Sequence, residues 1–93
     1  LEIVAEAARN PHIAGLVQAA DRQCIGSLIE TIRTLRQAAG HRDSEATLAG
    51  MAEAIAAMFE GLRIRAIRNP DIDRGEVVRM FRRMVHDLLS QTT

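Results

Sequence analysis

The chain is expected to fold as an all-α, antiparallel helical domain. Apolar residues recur at three- and four-residue spacing through most of its 93 positions, and no stretch alternates convincingly with period two. Two Asn-Pro pairs, Asn10-Pro11 and Asn69-Pro70, interrupt that pattern where helices stop and start. The connections between the apolar stretches are short and polar. Only Phe59 and Phe81 are aromatic, while 47% of residues are hydrophobic, so the core must be assembled from Leu, Ile, Val, Met and Ala.

Four helical segments follow from this reading. The first, LEIVAEAARN, places Leu1, Val4, Ala5 and Ala8 at helical spacing and reads as the end of a helix. Asn10 then caps a new helix, and Pro11 suits its first position because its missing N–H would be unpaired there anyway. This second helix is long. Ile13, Leu16, Val17, Ala20, Cys24, Leu28, Ile32, Leu35 and Ala39 form its stripe, widened by Ile25 and Ile29. A stripe that broad implies burial against more than one neighbour. Gly40 ends it, since glycine accepts the left-handed conformation beyond the last turn.

Asp43 or Ser44 caps the third helix, expected from about Glu45 to Arg68. Leu48, Ala52, Ile55, Phe59, Leu62 and Ala66 make its seam, with Met51 and Met58 beside it. Asp73, followed three residues later by Glu76, opens the last helix in a capping-box pattern. Val77, Val78, Phe81, Met84, Val85, Leu88 and Leu89 give that helix a broad apolar face.

A chain this short buries only about 60% of its extended surface, so a partner surface would help it. The third helix is rich in small residues, including Ala49, Gly50, Ala54, Ala56, Ala57 and Gly61. Such a face lets another backbone come near, either within one subunit or in a second copy. Two such helices from each of two chains would make a four-helix bundle, and the symmetric dimer is the commonest closed assembly.

Charge and special chemistry narrow the function. Twelve arginines balance twelve acidic residues, and the zero net charge argues against direct nucleic-acid binding by these residues. The arginines of LRIRAIR lie near a helix C-terminus, where positive charge is favourable, and read as solvated; Glu60–Arg63 and Glu76–Arg79 are spaced for ion pairs. His12, His41 and His86 fall in separate segments, so neither a metal nor a cofactor is expected. Cys24, the sole cysteine, cannot form an internal disulfide and is expected as a buried thiol on the apolar stripe. There is no phosphate loop and nothing that argues for an enzyme. No apolar run is long enough to cross a membrane and no leader is visible, so a cytoplasmic location is expected.

Residues 45–90 resemble the C-terminal region of TetR-family transcriptional regulators. The resemblance rests on MAEAIAAMFEGLRIRAIRNPDIDRGEVVRMFRRMVHDLLSQ: an alanine-rich helix, Gly61-Leu62, Arg65, a turn at Pro70, and a final amphipathic helix ending in Leu88-Leu89. NPHIAGLV is similar to a turn between helices in the middle of such regulators. The resemblance implies that all of residues 1–93 form a regulatory and dimerisation domain of a repressor. Such a domain couples a small-molecule effector, here largely apolar, to DNA release by a separate N-terminal helix-turn-helix domain that this chain lacks. It further implies a homodimer through Ala52, Phe59, Leu62, Ala66, Val77, Phe81, Met84 and Leu88. Leu16, Ala20, Cys24, Met51, Ile55 and Met58 would line or back the effector pocket. Two other classes stay open: a helical dimerisation module that senses nothing, and a small helical enzyme or carrier.

Overall fold

The computed structural model describes Ala5 and residues 8–92. Among these it contains three helices, α1 Pro11–Ala38, α2 Glu45–Arg68 and α3 Arg74–Ser90, and no strand. Of the expected first segment, Ala5 is helical, Ala8 and Arg9 lie in a turn and Asn10 is described; residues 1–4, 6 and 7, Leu1 and Val4 among them, lie outside the described residues.

Local chemistry sets each boundary. The Asn10 side chain accepts the His12 and Ile13 amides, and Pro11 opens α1. At the other end, the His41 amide donates to the Arg36 carbonyl and the Gly40 amide to the Gln37 carbonyl, at 2.9 and 3.0 Å. That pair of bonds closes a Schellman motif, and Gly40 supplies its left-handed residue with φ of 88°. Ser44, not Asp43, caps α2 by accepting the Thr47 amide at 3.1 Å. Asn69 ends α2 just before Pro70, and Asp73 caps α3 through the Glu76 amide.

The core sits at one end of the molecule. Ile32 of α1 and Leu48, Met51, Ala52 and Ile55 of α2 are buried, and Ile25, Leu28, Ile29, Val85, Leu88 and Leu89 pack against them. These residues come from the last part of α1, the first part of α2 and the last part of α3. The three segments meet because the α1–α2 connection is short and α3 runs back towards it. The backbone spans 44 × 36 × 15 Å, a flattened body. Much apolar surface stays outside this core, with Leu16, Leu35, Phe59, Ile67 and Met84 exposed.

One residue inside this core is charged. Arg36 is as buried as Ile32 beside it, at 1% exposure, and so is the Asp43 side chain it meets. Its Nε and Nη2 donate to the two carboxylate oxygens of Asp43, each at 2.7 Å. Its Nη1 donates to the backbone carbonyls of Leu89, at 2.9 Å, and Gln91. These are carbonyls that the end of α3 cannot satisfy internally. α3 has no basic residue in its own last turn, so its C-terminus is capped from another helix. No buried side-chain nitrogen or oxygen among the described residues is left without a partner.

The structure departs from the sequence-based expectation on α1. Cys24 is exposed, not buried, and Leu16 and Leu35 are 56% and 54% exposed. The packed seam of α1 runs through Ile25, Leu28, Ile29, Ile32 and Arg36. At about 100° per residue, Cys24 and Leu35 lie roughly 75–100° from its centre, and Leu16 and Ala20 lie further still. The broad stripe therefore resolves into two faces, one packed and one open.

Candidate functional site

Beyond the core, α2 and α3 run on together towards their connection. Phe59 and Phe81 meet there edge to face, ring centroids 5.6 Å apart at 78°, which is a favourable aromatic geometry. This contact holds α3 against α2 where α1 contributes none of the buried residues. Along this part the apolar side chains stay open to solvent: Phe59 46%, Ile67 63%, Met80 38% and Met84 54% exposed.

A groove of about 540 Å3 opens between the two helices. Met58, Leu62 and Ile64 of α2 form one wall, and Ile72, Val77 and Phe81 form the other. Ala57 and Gly61 keep the α2 wall low; a Cβ added at Gly61 would meet no atom within 4 Å. The single charged residue of the lining is Arg65. Its volume falls in the range of small-molecule sites, about 300–1,000 Å3.

A second concavity, of about 500 Å3, lies at the α1–α2 connection and is polar, lined by Arg33, Arg36, Gln37, His41, Arg42 and Asp43 among others. Two of its cations are already committed. Arg33 is bonded to Glu30 and Glu45, and Arg36 to Asp43. Hydrogen bonding to Arg36 holds the Asp43 carboxyl below the ordinary aspartate range, and Arg33 does the same to Glu45. The Arg33 and Arg36 guanidiniums are raised correspondingly, chiefly by those carboxylates.

The sequence-predicted residues divide between these places. Ala52, Met51 and Ile55 belong to the core of the single chain. Leu88 is half-buried against that core. Phe59, Leu62, Val77 and Phe81 come together at the α2–α3 seam, with Met84 exposed one turn beyond Phe81. Ala66 lies with Leu62 in a smaller hollow near Arg63, Ile67 and Arg74. Of the six expected pocket residues, Met58 lines the apolar groove, while Leu16, Ala20 and Cys24 lie open on α1.

Of the two expected ion pairs, Glu76–Arg79 forms and Glu60–Arg63 does not. Arg63, Arg65, Arg68, Arg74, Arg82 and Arg83 are exposed and make no ion pair among the described residues. The importance of Arg36 is invisible to spacing rules, which treat an arginine beside an apolar stripe as a solvated edge. Its only sequence signal is its place in the last turn of a helix, seven residues before Asp43.

Among the described residues, no three His, Cys, Asp or Glu side chains gather to hold a metal ion. No helix among them is long and apolar enough to cross a membrane. The comparisons with known proteins give one positive finding. No curated protein and no solved structure matches the chain. The family model for the BetI-type transcriptional repressor C-terminal domain matches residues 1–90, which is nearly the whole chain. With its all-α fold and the helix order that the TetR-like resemblance implies, the chain belongs to the BetI-type family of transcriptional repressor C-terminal domains.

Proposed function

We propose that this domain is the homodimerisation and effector-sensing region of a cytoplasmic transcriptional repressor. It couples small-molecule binding to DNA release by a separate N-terminal helix-turn-helix domain. The observation that carries the reading is the open apolar surface of α2 and α3. Phe59, Ile67, Met80 and Met84 lie beyond the core and remain exposed. Pairing of α2 and α3 with their counterparts in a second copy makes a four-helix bundle and removes that surface from water. Phe59, Leu62, Ala66, Val77, Phe81 and Met84 are the residues assigned to this interface. Ala52 and Leu88 support it from within the subunit.

The family and the second open face support the effector-sensing reading. The exposed stripe of Leu16, Ala20 and Cys24 on α1 offers an apolar wall, and Met51 and Ile55 hold its scaffold in place. For such a ligand to act, it must favour one arrangement of the dimer over another.

Met84→Glu tests the dimer directly. Met84 is 54% exposed in the single chain, so an acidic residue there should alter the subunit's own stability by no more than about 0.5 kcal/mol. In the bundle it would place two carboxylates in an apolar contact. Sedimentation should show a dimer for the parent chain and a helical monomer for the variant. A dimer retained by Met84→Glu places the interface elsewhere, and a monomeric parent chain removes it.

A further inference from the structure

We propose that the α2–α3 groove binds a small amphiphile, an apolar body that carries one anionic group, with Arg65 receiving the anion. The groove has room for such a body, about 540 Å3, and its walls are made by Met58, Ile64, Ile72, Val77 and Phe81. It holds one charged residue, a cation, and that cation is exposed with no acidic partner among the described residues. The polar cavity at the other end of the molecule is a weaker candidate because Arg33 and Arg36 there are already bonded to carboxylates. The chemistry of the groove thus selects sign as well as polarity. An apolar cation of equal size gains the same walls and is repelled at Arg65.

The groove shares Leu62, Val77 and Phe81 with the proposed dimer interface, but its mouth lies on the other side of α2. On α2, Gly61 lies roughly 160° around the helix from the direction shared by Phe59 and Ile67, at about 100° per residue. A second copy that covers Phe59 and Ile67 leaves the mouth of the groove at Gly61 free. Arg65 offers a guanidinium that binds a carboxylate through two parallel N–H bonds, and its stem continues the apolar wall. Because it is exposed, its contribution is modest, on the order of a three- to fivefold gain in affinity that weakens with salt. The inference adds a second ligand site, distinct from the open α1 face, and rests on the effector-sensing reading for biological meaning. Its test is run beside sedimentation, so that binding and dimerisation are read separately.

Nitrogen-15-labelled chain would be titrated with decanoate, decanol and decyltrimethylammonium below their micellar concentrations, with amide shifts as the readout. Decanoate should move the amides of Gly61, Ile64 and Ile72 and bind about three- to fivefold tighter than decanol, with the alkylammonium weakest. Arg65→Met keeps an apolar stem and should erase the preference for decanoate; Arg65→Lys should retain part of it. Gly61→Leu should fill the groove and abolish binding without disturbing the fold, since a Cβ there meets nothing within 4 Å.

Equal affinity for all three probes overturns the proposal. So does an Arg65→Met chain with decanoate affinity unchanged, or shifts confined to Leu16 and Cys24. Shifts at Gly61 and Ile72 that depend on protein concentration without probe put a second copy in the groove and also overturn it. A failed titration alongside a dimer in sedimentation removes the groove site alone. A monomer that binds decanoate removes the dimer alone.

Discussion

At the end of the layer that carries the α1–α2 connection, three helices converge on Leu48 and Ala52, which are 2% and 0% exposed. At the other end, where α2 turns into α3, two helices share one aromatic contact, and Ile67 is 63% exposed on the same helix as Leu48. Aliphatic residues occupy both ends, but three helices meet at one and two at the other. Burial here is a property of how many helices arrive at a place. An apolar residue left without a third helix stays open to solvent, as Ile67 does.

The comparison is broken most severely at Arg36. Arg36→Met removes the partner of a buried carboxylate and the cap of two α3 carbonyls in one step. It should lower the melting temperature further than emptying the Leu48 site does. Asp43→Leu in the same chain should recover part of the loss, because the stranded carboxylate is then gone, although the Leu89 and Gln91 carbonyls remain without their donor. Thermal melts followed by circular dichroism on the two single variants and the double variant separate these contributions. If Arg36→Met melts like the parent chain, the closed end is held by apolar packing alone.

Paired truncations then measure the two ends against each other. Leu48→Ala should cost about 2–5 kcal/mol, the usual range for emptying a well-packed leucine site. Ile67→Ala should cost the isolated subunit under about 1 kcal/mol, since most of its side chain is already in water. Denaturant titrations at several protein concentrations check both. In a dimer the Ile67→Ala effect should grow with concentration, and the Leu48→Ala effect should not. Equal costs at low concentration would mean that both ends are equally closed.

These expectations show what the sequence made legible. The bounds of α2, the Asn10 and Asp73 caps, the Gly40 stop and the stop at Asn69 all followed from local chemistry, where a residue's neighbours in the chain decide the outcome. The seam of α2 followed from periodicity as far as Ile55. Beyond that point periodicity still named Phe59, Leu62 and Ala66, but it could not say whether a third helix would reach them. On α1 the reading of Cys24 as buried failed for a related reason: a stripe wide enough for two faces does not reveal which one is packed. Arg36 was missed because its partners, Asp43 and the end of α3, come together only through the fold.

Acid should act on the closed end before the open one. The Asp43 and Glu45 carboxyls are held below their ordinary values of 3.8 and 4.5, mainly by hydrogen bonds from Arg36 and Arg33. A carboxyl depressed in the folded state stabilises it fully above its unfolded value, and that stability is lost as pH falls through the folded value. The melting temperature should therefore hold steady near neutrality and decline below the ordinary carboxylate range. Asp43→Asn should be less stable at neutral pH and show a shallower decline. Melts from about pH 6 down to about pH 2 provide the readout, and parallel acid limbs for parent and variant would detach Asp43 from the effect.

The finest comparison uses two helix caps of the same chemical kind. Ser44 caps α2 where all three helices meet, and Asn10 caps α1 at its start, on the part of the helix that lies outside the packed seam. Each side chain accepts amide hydrogens of a first turn, so alanine at either position removes a similar local term, typically about 1 kcal/mol. The consequence should differ because the closed end opens only with global unfolding, whereas the start of α1 can fray by itself. Ser44→Ala should then lower the global unfolding free energy by about 1 kcal/mol and accelerate exchange of the slowest amides in α1, α2 and α3 alike. Asn10→Ala should leave those slowest amides unchanged and accelerate only the amides near Ile13 and Leu16. Hydrogen exchange measured amide by amide distinguishes the two patterns. If Asn10→Ala also accelerates exchange at Leu48 and Ile55, the start of α1 unfolds together with the core, and the division of this layer into a closed and an open end is lost.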